Sequence, residues 1–303
     1  MPASVTAPAP EHKSAAYLQL LAVVVIWGLN FTISKWSLRA FPVLGFTALR
    51  FALASVLLGA VLWHREGTLR PPAGSVLRLS ALGVVGNTVY QLCFIVGLSI
   101  TTASNSALVL ASMPAMVAGL AFAFRLERVT ARAAEGLALA SVGVILVVAA
   151  RGVSFGAGTL LGDLLSFFAV ICWAVFTLGV RHLPRGISPL AITTWTMVLG
   201  TPVLVALGLP SLLRMDWGAV SGLAWAGLIY SSLLSLVVAY LLWNSSIRAI
   251  GSSRTAVFAC MTPLVAMGSA AVILRERPTP VQLIGAVAIL SGVLLSQRTP
   301  RAS

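Results

Sequence analysis

Acid is scarce in this chain. It has seven Asp and Glu among 303 residues, and Glu11, Glu66, Glu127, Glu135, Asp163, Asp216 and Glu276 all fall in polar breaks or near the ends of apolar runs. His12, His64 and His182 do the same. Proton relays inside membranes are built from such groups, so no coupling acid is visible, and a facilitator or exchanger driven by the substrate's own gradient is expected. Cysteine is equally sparse: Cys93, Cys172 and Cys260 stand alone with no paired spacing, which argues against a disulfide framework or a zinc site and leaves them as small packing residues. The sequence has no GxxxxGK[ST] run, so ATP is not used directly. It also has no nucleophile set beside a base and no metal-ligand cluster, so catalysis is not expected and no cofactor is implied.

Apolar residues fill the space instead. The chain is 59% hydrophobic and 9% charged, with a mean hydropathy of +1.00, where soluble proteins carry about 25% charged residues. It divides into ten stretches of the length that spans a bilayer, roughly 20 residues each: 16–36, 43–63, 77–98, 103–124, 132–150, 160–180, 189–209, 218–243, 253–273 and 279–297. The pattern predicts an all-α polytopic membrane protein with short loops. Residues 1–15, rich in Ala, Pro and Ser, read as a disordered tail, and 298–303 as a short C-terminal one. The first apolar run is longer than a signal-peptide core and reads as an uncleaved span.

The net charge of +13 does not indicate nucleic acid, because the basic residues sit at span ends rather than in one patch. With the N-terminus inside, thirteen of the twenty Lys and Arg fall in cytoplasmic segments, six on the opposite side, and Arg50 within a span. The excess of basic residues on one side predicts that both termini are cytoplasmic.

Two hexapeptides are nearly the same, RLERVT at 125–130 and LRERPT at 274–279. A shift of 149 residues also superimposes Ser104 on Ser253, Ala107 on Ala256, Pro114 on Pro263, Gly136 on Gly285 and Gly143 on Gly292, and a shift of 146 pairs Trp27 with Trp173 and Lys35 with Arg181. The chain therefore reads as a duplicated five-span unit, 16–150 and 151–297. Five is odd, so the second copy must enter the membrane in the opposite sense, as in secondary transporters built from inverted repeats around a midplane site. The charges of the hexapeptides themselves read as helix-end clusters at water-facing turns.

These residues resemble a known family. WGLNF in the first stretch, TTASNSALVLASMPA running into RLERVT, and GSSRTAVFACMTPL running into LRERPT are similar to the EamA family of the drug/metabolite transporter superfamily, over essentially the whole chain after residue 15. The resemblance implies an inner-membrane secondary transporter that exports amino acids, their derivatives or related small metabolites by alternating access. An importer or facilitator channel for small metabolites or organic acids stays open, and a polytopic enzyme is the remote alternative. The partners implied are an amino-acid-like small molecule and the lipid bilayer, with no nucleic acid. The oligomeric state is not specified.

Polar side chains are costly in hydrocarbon and should face the bundle interior. Trp27, Asn30 and Ser34 fall on one helical face, as do Asn87, Tyr90 and Gln91. Trp173 and Thr177, then Tyr240 and Asn244 with Ser232, Ser235 and Trp243, supply matching stripes in the second half. Amides and hydroxyls can hold an amino or carboxylate group, and Trp and Tyr supply walls and cation-attracting faces. Interhelical hydrogen bonding is the competing use for any single Ser or Thr. Arg50, in TALRF, either attracts a substrate carboxylate or extends outward to the membrane surface. Lys35 and Arg181 read as interfacial anchors. Pro114 and Pro263 should kink equivalent helices, and Gly83 and Gly86 should permit close helix approach.

Overall fold

The computed structural model describes residues 10–124, 157–184 and 186–297, with 135, 136, 138, 139, 141–143 and 146 between them. Every regular element among these is helical. Besides helical positions between 135 and 146, the described residues contain these helices in order: α1 (Pro10–Ser37), α2 (Val43–Glu66), α3 (Val76–Ile100), α4 (Ala103–Ala123), α5 (Ala157–Arg181), α6 (Pro189–Leu213), α7 (Gly222–Ile250), α8 (252–274) and α9 (Pro280–Gln297). Helices α1 to α7 are long and apolar enough to cross a membrane, and the apolar parts of α8 and α9 are shorter. The stretch expected at 132–150 and the hexapeptide at 125–130 lie outside the described residues apart from isolated positions. Helix α1 starts at Pro10, inside the segment expected to be a tail.

Local chemistry sets the ends. Ser188 precedes Pro189 and accepts a hydrogen bond from the Ala191 N–H at 2.9 Å, while Thr102 caps α4 by accepting from the Asn105 N–H at 3.1 Å, the usual use of a hydroxyl before a first turn. Gly67 closes α2 in the left-handed region at φ 68°, where a side chain would be strained.

The helices are apolar nearly all round, so water cannot solvate their outer faces. Leu77 is 83% exposed and Val272 81%; together with the spanning helices this is the surface of a multi-pass membrane protein, with lipid as its solvent. Inside, α2 packs along α6, α1 against α7 and α8, and α5 against α3 and α4. Small residues allow these approaches. A Cβ built on Gly83 would lie 2.5 Å from the Thr196 carbonyl oxygen, and one on Gly200 2.6 Å from that of Gly83, so α3 and α6 touch backbone to backbone. Gly97 and Gly162 join α3 to α5 in the same reciprocal way.

Two kinds of irregularity recur at equivalent places. Helix α3 widens into a π-helical segment at Val84–Val89, and α7 does so at Ser231–Val238. Helix α4 breaks at Ala111 and Ser112 just before Pro114, and α8 passes through a 3-10 turn at Ala259–Met261 just before Pro263. Both prolines occupy the first turn of the helical piece that follows, where a missing N–H costs nothing.

The second hexapeptide has a structural task that its charges alone did not reveal. The Glu276 carboxylate reaches across to α4, accepting from the N–H of Ala103 at 3.0 Å, the N–H of Ser104 at 3.1 Å and the Ser104 hydroxyl at 2.7 Å. A carboxylate there satisfies orphan donors and complements the helix dipole. We expect Glu276→Ala to lower stability by about 1 kcal/mol, read as a reduced thermal midpoint in detergent, with Glu276→Gln retaining part of it. An unchanged midpoint for Glu276→Ala would leave the cap without energetic weight.

Candidate functional site

The widened turns and helix breaks surround one internal cavity of about 60 Å³. That is room for on the order of four water molecules, so a larger solute requires it to open further. Helix α1 contributes Trp27, Asn30 and Phe31; α2 contributes Arg50; α3 contributes Tyr90, Gln91 and Phe94; α5 contributes Val170 and Trp173. Ser235, Leu236 and Tyr240 come from α7, and the broken helices add Ala107, Leu110, Ala111 and Met113 from α4 and Ala259 and Thr262 from α8. Tyr90 directly follows one π-helical segment and Tyr240 the other by two residues. A π turn inserts an extra residue and re-aims whatever comes next, here one tyrosine from each half.

Aromatic rings form most of the wall. Trp27 packs edge-on to Trp173, with centroids 5.7 Å apart, edge-on to Tyr240 at 6.1 Å, and tilted on Trp243 at 5.0 Å. Tyr90 lies 4.8 Å from Trp173 and stacks on Phe94. The indole N–H of Trp27 donates to the Ser235 carbonyl at 3.1 Å, within the π segment of α7. Asn30 Oδ1 accepts from Ser231 at 2.9 Å and Ser34 at 3.2 Å, a second tie between α1 and α7.

Arg50 is completely buried and faces this cavity rather than the membrane surface. Its Cζ lies 5.2 Å from the Phe46 ring centroid, a cation–π contact. Its Nε and Nη1 have no protein hydrogen-bond partner, and neither does the Gln91 Oε1 acceptor or the Thr262 hydroxyl. The cavity is thus an apolar aromatic box with a buried guanidinium in its wall and a few neutral polar atoms.

Trp27, Asn30, Arg50, Tyr90, Gln91, Trp173 and Tyr240, with Ser235 of the same sequence stripes, line the cavity together. Asn87, Asn244 and Thr177 do not. Asn87 is buried beside Gly200, at the α3–α6 contact. Asn244 donates to the Thr193 hydroxyl at 2.8 Å, tying α7 to α6, and Thr177 is buried at a carbonyl that accepts from Ser252. Each occupies the expected polar face, but that face turns past the cavity along the helix. Lys35 is not a surface anchor: it donates to the carbonyls of Leu98 at 2.7 Å, Ser99 at 2.9 Å and Thr101 at 2.5 Å, closing the C-terminal end of α3. Thr262 and the α4 residues were missed. The Pro114 and Pro263 breaks were the available signal for them.

Asp163 departs furthest from its sequence reading. It lies in α5 and is 1% exposed. It accepts from the Thr101 hydroxyl at 2.6 Å and from Asn105 Nδ2 at 3.1 Å, while Gln282 of α9 donates to Asn105 Oδ1. The result is a buried polar knot joining the end of α3 to α4, α5 and α9, apart from the cavity.

Known proteins agree with this architecture over nearly the full length. The uncharacterized transporter YyaM of Bacillus subtilis is 31% identical over 288 residues, covering 92% of both chains. A probable amino-acid metabolite efflux pump of Salmonella typhimurium is 28% identical, covering 96% of this chain and 99% of its own length. A probable terminal-alkyne amino-acid exporter of Streptantibioticus cattleyicolor is 26% identical, covering 94% of each. One solved crystal structure, 18% identical, has a TM-score of 0.68 over 94% of this chain and 97% of that one, a likeness of fold. Residues 14–149 and 160–297 each match the EamA-like transporter family, so two family units enclose one cavity, and the chain belongs to that family of transporters rather than to any class of enzyme.

Proposed function

We propose that this protein is an inner-membrane secondary transporter that exports amino acids, amino-acid derivatives or related small metabolites by alternating access, from ten spans arranged as two inverted five-helix units, with both termini cytoplasmic. The observation that carries the reading is the cavity. Both halves line it, it lies near the middle of α1, α3 and α7, and it combines aromatic walls with buried hydrogen-bonding groups and a buried cation. The substrate would contact Trp27, Asn30, Arg50, Tyr90, Gln91, Trp173 and Tyr240.

The packing supports the inverted arrangement. Under the repeat, α1 corresponds to α5, α2 to α6, α3 to α7 and α4 to α8. The contacts of α1 with α7 and α8 then map onto those of α5 with α3 and α4, and α2 meets its own counterpart. Paired π segments and paired proline breaks give each half an equivalent place to bend. The relatives named for amino-acid efflux and export support that substrate class and direction.

Untargeted metabolite profiling of cytosol and medium, with and without the gene, tests direction and substrate together. We expect one amino-acid-like compound to accumulate inside the deletion strain and disappear from its medium. Tyr90→Ala, which removes the ring between Trp173 and Phe94, should reproduce the deletion while inserting normally. Accumulation outside the deletion strain would make the protein an importer.

A further inference from the structure

We infer that the solute carried through this cavity is a monoanionic carboxylate with a compact apolar body, and that the membrane potential drives it outward. The inference rests on reading the cavity as the substrate site, and it narrows the proposed class from amino acids themselves to derivatives or related metabolites whose amino group is masked or absent. Arg50 is its only charged residue among the described lining residues, is fully buried, and leaves Nε and Nη1 without protein partners. A buried guanidinium lacking an anion is costly, and a carboxylate accepts short, charge-assisted hydrogen bonds from it. The solute would therefore complete an ion pair that the protein leaves half made.

Charge arithmetic separates the candidates. A cation would face Arg50 across a low-dielectric space with no Asp or Glu among the described lining residues to offset it. A zwitterion would satisfy Arg50 with its carboxylate but would also bury an ammonium, for which the lining offers neutral acceptors, Gln91 Oε1 and the hydroxyls of Thr262 and Tyr240, and ring faces, without a counter-charge. A monoanion leaves the site neutral and gives the remaining walls, Trp27, Tyr90, Trp173 and Tyr240, an apolar body to cover.

The driving force follows. Arg50 stays with the protein, so each cycle moves the anion's charge across the bilayer. No carboxyl or imidazole among the described lining residues would carry a proton with it. An inside-negative potential of about 100 mV then sustains an outward gradient of about 50-fold for a univalent anion. Export needs no other coupling.

The test uses the full-length protein and three probes of one shape and different charge: 4-methylpentanoate, leucine and leucinamide. None absorbs where tryptophan emits, so a change in the summed emission of the eight tryptophans, two of which line the cavity, reports their binding. We expect the anion to bind at least about tenfold more tightly than leucine, and leucinamide not to bind. Arg50→Gln should abolish the preference and Arg50→Lys should retain part of it. In proteoliposomes loaded with labelled 4-methylpentanoate, an inside-negative potassium diffusion potential should accelerate efflux and the opposite potential should slow it. Leucine binding as tightly as the anion, efflux indifferent to the sign of the potential, or a folded Arg50→Gln that keeps the preference would each overturn the inference; leucine binding and transport alone would leave the site reading intact. If no probe binds or leaves the vesicles, both fall. The charge series on the unaltered protein decides the matter even if Arg50→Gln fails to fold.

Discussion

Trp27→Ala should stop flux and lower stability by about 3 kcal/mol, the scale of truncating a large packed aromatic side chain. Its ring touches Trp173, Tyr240 and Trp243 at once, so removal both opens the wall of the cavity and unties α1 from α5 and α7. The indole N–H adds a separate term. It satisfies the Ser235 carbonyl inside a π segment, where the helix's own hydrogen bonding is irregular. Trp27→Phe should therefore keep much of the packing, lose about 1 kcal/mol for the missing bond, and transport slowly rather than not at all. Flux in proteoliposomes and the thermal midpoint in detergent separate the two variants. Full flux from Trp27→Ala would remove the aromatic box from the substrate path.

The second large effect belongs to residues with no side chain. At Gly83 and Gly200 an added Cβ would run into backbone of the facing helix at 2.5 and 2.6 Å. Backbone cannot rotate aside as a side chain tip can, so α3 and α6 must separate. Thr88, which donates to the Gly200 carbonyl at 2.7 Å, would lose its partner as they part. Gly200→Val should lower stability by about 3 kcal/mol through overpacking and sharply reduce the yield of monodisperse protein. Gly200→Ala should do so more mildly, because alanine's helix propensity returns about 1 kcal/mol. Gly59→Ala provides the comparison: nothing lies within 4 Å of its added Cβ, so it should be neutral or slightly stabilising. A Gly200→Val protein as stable as Gly59→Ala would mean that the α3–α6 contact is looser than its geometry.

Much of this was legible before any coordinates. Apolar run length marked the helices, because bilayer thickness sets a length that composition records. Polar residues at helical spacing in α1 and α3 pointed inward for the same reason, and Trp27, Asn30, Tyr90 and Gln91 meet at the cavity. The extent of each polar stripe was not legible. Asn244 and Thr177 share a face with cavity residues, but one turn further along, helix crossing sets them against α6 and α8 instead, and no one-dimensional period carries a crossing angle. Partner choice was equally hidden. Nothing near Glu276 in sequence names Ala103, and nothing near Asp163 names Thr101, since these contacts span 173 and 62 residues. Arg50 shows the limit from the other side: its depth in the stretch was readable, but whether it turned outward or inward was decided by what packs around it.

Duplication gave this protein two similar halves, yet the fastenings at corresponding places have diverged. Asp163, knotted to Thr101 and Asn105, has Tyr17 as its counterpart under the 146-residue shift, and Tyr17 instead stacks on Phe258 with centroids 5.7 Å apart. One fastening is a desolvated polar cluster, and the other is a hydrophobic contact whose strength weakens on cooling. Their temperature dependences must differ. Cooling should therefore weaken the Tyr17–Phe258 contact relative to the Asp163 cluster, so that the two halves lose local stability unequally as the temperature falls.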